Sequence, residues 1–344
     1  MFIKKAVMLP IWILQLFTQH KDFRKNPIIG NRLFNRLGLH VSRVALAAAF
    51  AHFRRTLLTF ILPRNLRRQF QDDGVIIIEN FLDDEVYQGI KKEIQNIDGH
   101  IWEMTQGNTR TLMLPLDKKA RRKLPNCDQF VTDKRFVRLV SYVASNFGHP
   151  ISFIHCVKNG FIANNKPDPQ KTLHTDTFQP TAKYWLFLDD VRKGEGPFVY
   201  ALGSHKFSKE RMKWEYKMSC RDWRGMDLHS ATGSFRISKN EIAELGLEIK
   251  EITVKANTLV IADTHGFHCR GEVDSPCSRL AIYGSARVLP FNPLPGFGSG
   301  ILRDFQYSVL GYMWEKAERK AIAKKKRSIW QRILAQSIND REIN

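Results

Sequence analysis

The sequence predicts a mainly β domain with helical segments at both of its ends. Beyond about residue 150, short apolar segments recur between glycines and prolines, which is typical of a β-sandwich or barrel. These segments are ISFIHCV, KYWLFLDDV, PFVYALG, EIKEITV, NTLVIADT and SRLAIYGSARV. Residues 1–71 and 297–335 favour helices instead. With 344 residues, 43% of them hydrophobic, the chain can bury a large core.

The N-terminal extension, residues 1–71, contains two apolar stretches. The first, residues 6–17, includes Pro10 and is shorter than the roughly 20 apolar residues of a membrane-spanning helix. It is not followed by a small-residue cleavage site, so we do not expect a secretory signal. The second, residues 44–53, ends at Arg54 and Arg55. Two interpretations stay open: helices that lie in a membrane interface, or a helical arm packed on the domain with its arginines in solvent.

The character of the chain changes at residue 71. Residues 75–78 form a short apolar strand, and Asp83 and Asp84 follow as the N-terminal cap of a helix. The apolar residues of this predicted helix are Val86, Ile90 and Ile94. The domain is therefore expected to begin with a strand followed by a helix.

Composition divides the chain into three segments. Residues 1–71 are the basic, apolar helical extension, and residues 72–295 are the β domain. Within that domain, residues 206–248 form a polar and aromatic insertion between strands. Residues 296–344 are predicted to be a basic helical segment.

The positive charge of the chain is concentrated at its ends. Of a formal net charge of +20, residues 1–71 contribute +12 from 13 basic residues and one acidic residue. Residues 315–344 contribute +5, which leaves only +3 for residues 72–314. Nucleic acid and an anionic membrane surface are both candidate partners for such ends. No nucleic-acid-binding motif is present, and the apolar, aromatic-rich N-terminal stretches suit lipid better.

Cysteine usage indicates the redox compartment. The five cysteines are odd in number and contain no CxxC pair, which argues against a disulfide scaffold or a zinc ribbon. Because disulfides are rare in reducing compartments, we expect a cytosolic protein.

A histidine and an aspartate lie two residues apart in KTLHTDTFQP, at His174 and Asp176. Successive side chains of a strand alternate between its faces, so these two would point the same way from a strand. They could form a hydrogen-bonded pair, or two corners of a metal site. Two histidines and one carboxylate are the usual ligands of a non-haem Fe(II) oxygenase. The third ligand would then be His265 or His268, which follow the apolar segment NTLVIADT.

An arginine follows at a suitable position on the next predicted strand. Arg279 lies eleven residues beyond His268, and a guanidinium is well suited to hold the carboxylate of a co-substrate. Three segments carry a resemblance to a known family: LHTDTFQPTAKYWLFLDDV, GEGPFVYALGSHK and ADTHGFHCRGEVDSPCSRLAIYGSAR. Over about residues 72–295 the sequence resembles the phytanoyl-CoA dioxygenase-like Fe(II)/2-oxoglutarate oxygenases.

The resemblance implies a fold and a set of site residues. The fold would be a double-stranded β-helix, that is, a cupin-like jelly-roll, with helices at both ends. His174, Asp176 and His268 would bind iron as the catalytic centre. Arg279 would bind the distal carboxylate of 2-oxoglutarate.

Other histidines leave alternatives. His265 could bind iron instead of His268, although the spacing to Arg279 favours His268. We predict a structural or cavity-rim role for His205 in GSHK. We predict a core or substrate-facing position for His155.

Two positions depart from the family pattern. Arg270 stands where the family often has a small hydroxyl residue, two residues after the distal histidine, and Leu173 stands where an aromatic residue often precedes the first histidine. The first departure affects the expected geometry of the co-substrate site. Lys183 and Trp185 share one face of KYWLFLDD, but the sequence does not fix which face points inward.

The resemblance implies a hydroxylase that uses Fe(II), O₂ and 2-oxoglutarate, releases succinate and hydroxylates a C–H bond. The insertion would be either a lid over the substrate or a surface excursion. The basic ends suggest a cytoplasmic protein, peripheral on the inner face of the cytoplasmic membrane, with a membrane lipid or lipid-linked glycan as substrate. Two alternatives are a nucleic-acid-associated protein and a metal-free binding protein on the same fold.

Overall fold

The computed structural model describes residues 2–160, 167–296, 300–326 and 328–338. Its strands are β1 (Val75–Ile78), β2 (His100–Gln106), β3 (Thr109–Pro115), β4 (Ile151–Asn159), β5 (Ala182–Phe187), β6 (Phe198–Ala201), β7 (Ile249–Ile252), β8 (Thr258–Asp263), β9 (His268–Arg270), β10 (Cys277–Ala286) and β11 (Gln331–Leu334). All pairings are antiparallel. A large sheet has the order β1-β8-β5-β10-β4-β3-β2-β11, and a small sheet has the order β7-β6-β9.

Helices precede, interrupt and follow these strands. They are α1 (Phe2–Leu16), α2 (Arg32–Arg36), α3 (Leu39–Leu57), α4 (Arg64–Asp73), α5 (Asp84–Gln95), α6 (Lys118–Lys123), α7 (Pro125–Thr132), α8 (Lys134–Ala144), α9 (Lys209–Ser219), α10 (Leu228–Ala231), α11 (Lys239–Glu244) and α12 (Gly300–Ala323). Among the described residues, no helix combines the length and the hydropathy needed to cross a bilayer.

The large sheet is covered on both of its faces. On one face Trp185 of β5 packs against Phe198 of β6, with ring centroids 4.6 Å apart, in a core shared with the small sheet. On the other face Tyr184 contacts Phe136 of α8, in the core formed with α5 and α7. Double burial explains why every residue of β8 is buried and why its centre, residues 259–262, is a continuous apolar run. The predicted mainly β jelly-roll with helical additions is confirmed.

Arg43 and Arg54 of α3 are buried, so the interpretation of a packed arm with its arginines in solvent is wrong for these two residues. Arg54 is 1% exposed and donates to the carbonyl and hydroxyl oxygens of Ser145, at 2.9–3.1 Å. Arg55 donates to the Val143 carbonyl at 2.6 Å and to Asp263 Oδ2 at 2.9 Å. The carbonyls at the end of α8 have no partner within that helix, and cationic donors are favoured there.

A third arginine of α3, Arg43, holds the segment that follows α1 against α3. Arg43 is 6% exposed and donates to the carbonyls of Leu16, Thr18 and His20 at 2.8–3.1 Å. Its guanidinium also lies 4.3 Å from the ring centroid of Phe178. This arrangement fixes the segment that leads from α1 to Lys21, which matters at the site described below.

The C-terminal segment is helical only in part. The prediction of helix over residues 297–335 holds for α12 but is wrong for β11, which pairs with β2 along the edge of the large sheet. This pairing satisfies backbone groups of β2 that would otherwise be exposed at an edge. The two strands are more than 200 residues apart in the chain, so no local pattern announces the pairing.

Candidate metal centre

His174 and His268 are brought together by reciprocal backbone hydrogen bonds. The amide of each residue donates to the carbonyl of the other at 3.0 Å, and their ring centroids lie 4.5 Å apart. His174 is an isolated bridge residue rather than part of a regular strand, which corrects the expectation of a strand there. The Asp176 amide donates to the Thr264 carbonyl at 3.0 Å. This bond directs the chain so that Asp176 faces both imidazoles.

The three side chains converge on one point. His174 Nε2 lies 3.9 Å from Asp176 Oδ1, and His268 Nε2 lies 3.7 Å from Asp176 Oδ2. One ligand atom from each residue lies within 4.8 Å of the others, a spacing that could surround a single metal ion. The structure therefore brings together the three residues that the sequence predicted.

Hydrogen bonds fix the orientation of both imidazoles. His174 Nδ1 is 2.7 Å from the Thr172 carbonyl, and His268 Nδ1 is 2.9 Å from the Gly266 carbonyl. A carbonyl can only accept, so each Nδ1 carries the proton and each Nε2 keeps its lone pair. Metal-binding histidines usually make this second hydrogen bond.

The charge state of the three groups suits a cation. Burial lowers the pKa of both imidazoles, and for His174 the neighbouring His268 adds to the effect, so both are neutral at pH 7. Burial alone would raise the pKa of Asp176, but Lys183 and then the two imidazoles outweigh it and hold that pKa well below its usual range. Two neutral imidazoles and one carboxylate are the forms that bind a metal ion.

Two lysines contact Asp176, and the sequence analysis assigned neither of them to the site. Lys183 Nζ on β5 lies 2.6 Å from Asp176 Oδ2, although this buried oxygen receives no well-aligned hydrogen bond. Lys21 Nζ, from the N-terminal extension, donates to the backbone carbonyl of Asp176. The alternation along β5 placed Lys183 on one of two faces but could not choose between them. Lys21 carries no local signal at all.

A cavity of about 960 Å³ opens beside this cluster. His174, His268 and Arg279 all line it. Arg279 is 8% exposed, and its Nη1 donates to the Gly196 carbonyl at 2.5 Å. No carboxylate among the described residues pairs with it. Burial, together with the charge of Arg270, lowers the pKa of Arg279 to about 9, which leaves the guanidinium protonated at pH 7.

The unusual Arg270 is accounted for by its neighbours. Its Nη1 lies 2.8 Å from Asp168 Oδ2 and 3.3 Å from Asn159 Oδ1. Asp168 therefore balances the charge of Arg270. Of these two arginines, Arg279 has no carboxylate partner among the described residues, so a bound carboxylate would fit there.

The alternative histidines lie apart from the cluster. His265 is buried, with Nδ1 3.1 Å from the Thr177 carbonyl, and it does not belong to the group of converging ligand atoms. His205 packs on Phe70 at a ring-centroid distance of 5.2 Å, which fits the predicted structural role. His155 lines the cavity beside Tyr283, as expected for a substrate-facing residue.

The insertion at residues 206–248 packs beside the segment of His174, since the Thr175 amide donates to the Phe235 carbonyl at 3.0 Å, but it does not line the cavity. Trp214 of α9 packs edge-to-face on Phe267 at 4.8 Å, and none of the described residues that line the cavity comes from the insertion. The described part of the insertion therefore forms no lid over this cavity, and the burial of Phe235 and Ile237 differs from a surface excursion as well. The wall of the cavity comes instead from β-strands and from α12.

A jelly-roll in which two histidines and an aspartate converge beside a buried arginine defines a non-haem Fe(II) oxygenase that uses 2-oxoglutarate and O₂. The chain belongs to the phytanoyl-CoA dioxygenase (PhyH) family, whose sequence model matches residues 70–279. No curated protein matches the chain.

Solved structures with a similar fold include three with bound metal. The epimerase SnoN, in complex with Fe³⁺, α-ketoglutarate and nogalamycin RO, is 15% identical, with 68% of this chain and 91% of SnoN covered and a TM-score of 0.43. HygX from Streptomyces hygroscopicus, with nickel and 2-oxoglutarate bound, is 16% identical, with 66% and 88% covered and a TM-score of 0.41. EctD from S. alaskensis, with bound Fe, is 13% identical, with 69% and 81% covered and a TM-score of 0.43.

Proposed function

We propose that this oxygenase binds Fe(II) through His174, Asp176 and His268, and binds the distal carboxylate of 2-oxoglutarate through Arg279. Its reaction would be the hydroxylation of a C–H bond in an amphipathic substrate, a membrane lipid or a lipid-linked glycan. The observation that carries the assignment is the convergence of two Nε2 atoms and one carboxylate at the edge of a cavity that also contains an unpaired arginine.

The residues of the chain would divide the work as follows. The carbonyls of Thr172 and Gly266 hold both imidazoles in the tautomer whose Nε2 can bind a cation. Lys183 helps to keep Asp176 ionised. Arg279 fixes the orientation of the co-substrate by a charge-assisted contact. Fe(II), when bound, supplies the oxidative chemistry that couples decarboxylation of 2-oxoglutarate to oxidation of the substrate.

The metal assignment is tested with His174→Ala, and with the exposed His52→Ala as a matched control. Anaerobic addition of Fe(II) and 2-oxoglutarate to the wild type should give a metal-to-ligand absorption band, and admission of O₂ should release succinate. Both signals should disappear in His174→Ala and persist in His52→Ala. An unchanged band in His174→Ala would refute the assignment.

A membrane-bound substrate is supported by the outward face of α12. Ile301, Phe305 and Met313 are 82%, 65% and 60% exposed, in a helix that also lines the cavity. The basic run at residues 316–326 follows on the same helix and beyond it, and each such residue adds about 1 kcal/mol near an anionic surface. We propose that this face docks on an anionic bilayer.

Sedimentation with vesicles of phosphatidylcholine and phosphatidylglycerol tests the docking face. The double variant Ile301→Asp/Phe305→Asp should lose binding, because it places two charges where apolar side chains would enter the lipid. Leu228→Asp, an equally exposed leucine of the insertion, is the control and should bind as the wild type does. Equal binding of both variants would refute docking through α12.

A further inference from the structure

One face of α12 forms a wall of the cavity. The side chains that line it recur at the spacing of helical turns, at Arg303, Gln306, Leu310 and Trp314. Tyr307, on the same side, anchors the helix to β4, since its hydroxyl lies 2.6 Å from the amide of Ser152 and 3.0 Å from its carbonyl. This wall lies outside residues 70–279, where the sequence matches the family.

Arg303 is buried in this wall without adequate partners. It is 7% exposed, and its Nε and Nη1 are buried without a hydrogen bond to any described residue. The carboxylate beside it, Asp304 Oδ1, is 3.6 Å from Nε and already accepts from Arg121 Nη2 at 2.9 Å. Burying guanidinium nitrogens without hydrogen bonds is costly, so the two unpaired nitrogens of Arg303 point to an absent anion.

The cavity beside Arg303 is lined by neutral and positively charged side chains. His149 Nδ1 is buried without a hydrogen bond to any described residue, and burial followed by the charge of Arg303 lowers the pKa of His149. Arg287, at the end of β10, adds another cation to the cavity lining. None of the described residues that line the cavity is an aspartate or a glutamate. The cavity therefore carries more positive charge than one co-substrate carboxylate, held by Arg279, would balance.

The other end of the same wall is apolar. Trp314 stacks on Trp330 at a centroid distance of 4.8 Å, and Phe153 of β4 lies 6.1 Å from Trp314. From Arg303 to Trp314 the helix advances about 16 Å, at 1.5 Å per residue. A ligand that spans this wall would need an anionic group near one end and an apolar body along the other.

We propose that Arg303, with His149, binds an anionic group of the primary substrate, a phosphate or a carboxylate, while the aromatic wall around Trp314 binds the apolar part. The guanidinium fork suits both oxyanions. This inference rests on the proposed function and narrows its substrate class to amphipathic anions. The anionic group is bound at a site distinct from that of 2-oxoglutarate, which Arg279 holds.

The test compares binding of dodecyl phosphate and dodecanol, two ligands of equal chain length, to enzyme loaded with Mn(II) and 2-oxoglutarate, by titration calorimetry. The wild type should bind dodecyl phosphate at least about tenfold more tightly than dodecanol. Arg303→Met should abolish this preference, and Arg303→Lys should keep part of it. Arg319→Met, on the exposed side of α12, is the matched control and should keep all of it.

Two further ligands identify the anion and its source. Dodecanoate in place of dodecyl phosphate shows whether a carboxylate serves as well, and preference for either anion over dodecanol supports the proposal. Inorganic phosphate binding as tightly as dodecyl phosphate would contradict it, because the apolar wall would then contribute nothing. A preference for dodecyl phosphate that survives in Arg303→Met would overturn the role of Arg303.

Failure of this inference is distinguishable from failure of the proposed function. The affinity for 2-oxoglutarate, measured from the absorption band of the Fe(II) enzyme, should change less than about twofold in Arg303→Met. The wild type could show the absorption band while Arg303→Met binds dodecyl phosphate and dodecanol as the wild type does. That result would refute only the anion site at Arg303 and leave the proposed function standing. Loss of 2-oxoglutarate affinity in a folded Arg303→Met would place the co-substrate there instead and overturn the inference. Thermal melting of Arg303→Met and Arg303→Lys beside the wild type identifies a variant that has lost its fold.

Discussion

Residues 1–71 and 315–344 carry net charges of +12 and +5, and in both segments basic residues alternate with apolar ones. In the N-terminal segment, Arg43 and Arg54 are buried and donate to backbone carbonyls. In the C-terminal segment the side chain of Arg319 is 68% exposed and pairs with Glu315 one turn away. The N-terminal segment therefore buries two selected arginines, while others of the same segment, such as Arg36 and Arg68, are exposed as Arg319 is.

The difference shows what determines whether a basic side chain is buried or exposed. Arginines of α3 lie against the C-terminal end of α8, where unpaired carbonyls compensate the loss of water. In the last turns of α12, by contrast, Lys316, Arg319 and Lys320 are exposed to solvent. Whether a charged side chain is buried depends on the hydrogen-bond acceptors near it in the folded structure, and not on the local composition of the sequence.

The largest expected effect is at Arg54. Arg54→Met removes hydrogen bonds to Ser145 and Asn292 and leaves buried acceptors unpaired, so it should lower the free energy of unfolding by about 3 kcal/mol or more. Urea denaturation measures this loss. Arg319→Met should stay within about 0.5 kcal/mol of the wild type. Equal losses in both variants would erase the distinction between the two ends.

The second largest effect is expected from acid, which should lower the free energy of unfolding on the N-terminal side of the molecule. Burial lowers the pKa of His205 to about 3 and that of His265 to about 4, against 6.5 in the unfolded chain. A depressed pKa contributes stability above pH 6.5 that is lost as the pH falls below it. At pH 5 each histidine should cost up to about 2 kcal/mol relative to pH 7.

Urea denaturation of the metal-free protein at pH 7 and pH 5 measures this dependence. His205→Gln should reduce the loss between the two pH values, because one proton fewer is taken up on unfolding. Hydrogen exchange should show α3 and α4 opening at pH 5 before α12, since His205 contacts Phe70 of α4. Earlier opening of α12 would contradict the assignment of this sensitivity to the N-terminal side.

The smallest effect is expected where α12 is anchored. Tyr307→Phe removes the two hydrogen bonds to the backbone of Ser152, so it should lower the free energy of unfolding by about 1 kcal/mol. Amide exchange in α12 should become faster while exchange in α3 stays unchanged. Tyr312→Phe, which alters an exposed hydroxyl of the same helix, serves as the control. Slower or unaltered exchange in α12 would show that Tyr307 does not anchor it.

Much of the site could be predicted because its signals are local. His174 and Asp176 are two residues apart, and Arg279 lies eleven residues after His268, so local patterns supplied the candidates. The resemblance to a known family then implied their roles. Lys183 was visible only as one of two residues on a shared face. Lys21 could not be predicted, because it lies 155 residues before Asp176 in the chain. It reaches Asp176 only because Arg43 fixes the segment that contains Lys21.

The sequence by itself determined the apolar strands, the helical ends and the chemistry of the candidate ligands, because strand and helix periodicity act between near neighbours. Only the tertiary structure decided that Arg43 and Arg54 of α3 are buried, that β11 joins the large sheet, and that α12 presents Arg303 to the cavity. Each of these depends on acceptors, edges or surfaces supplied by distant parts of the chain. A local pattern states what a side chain can pair with, and the fold decides which partner is within reach.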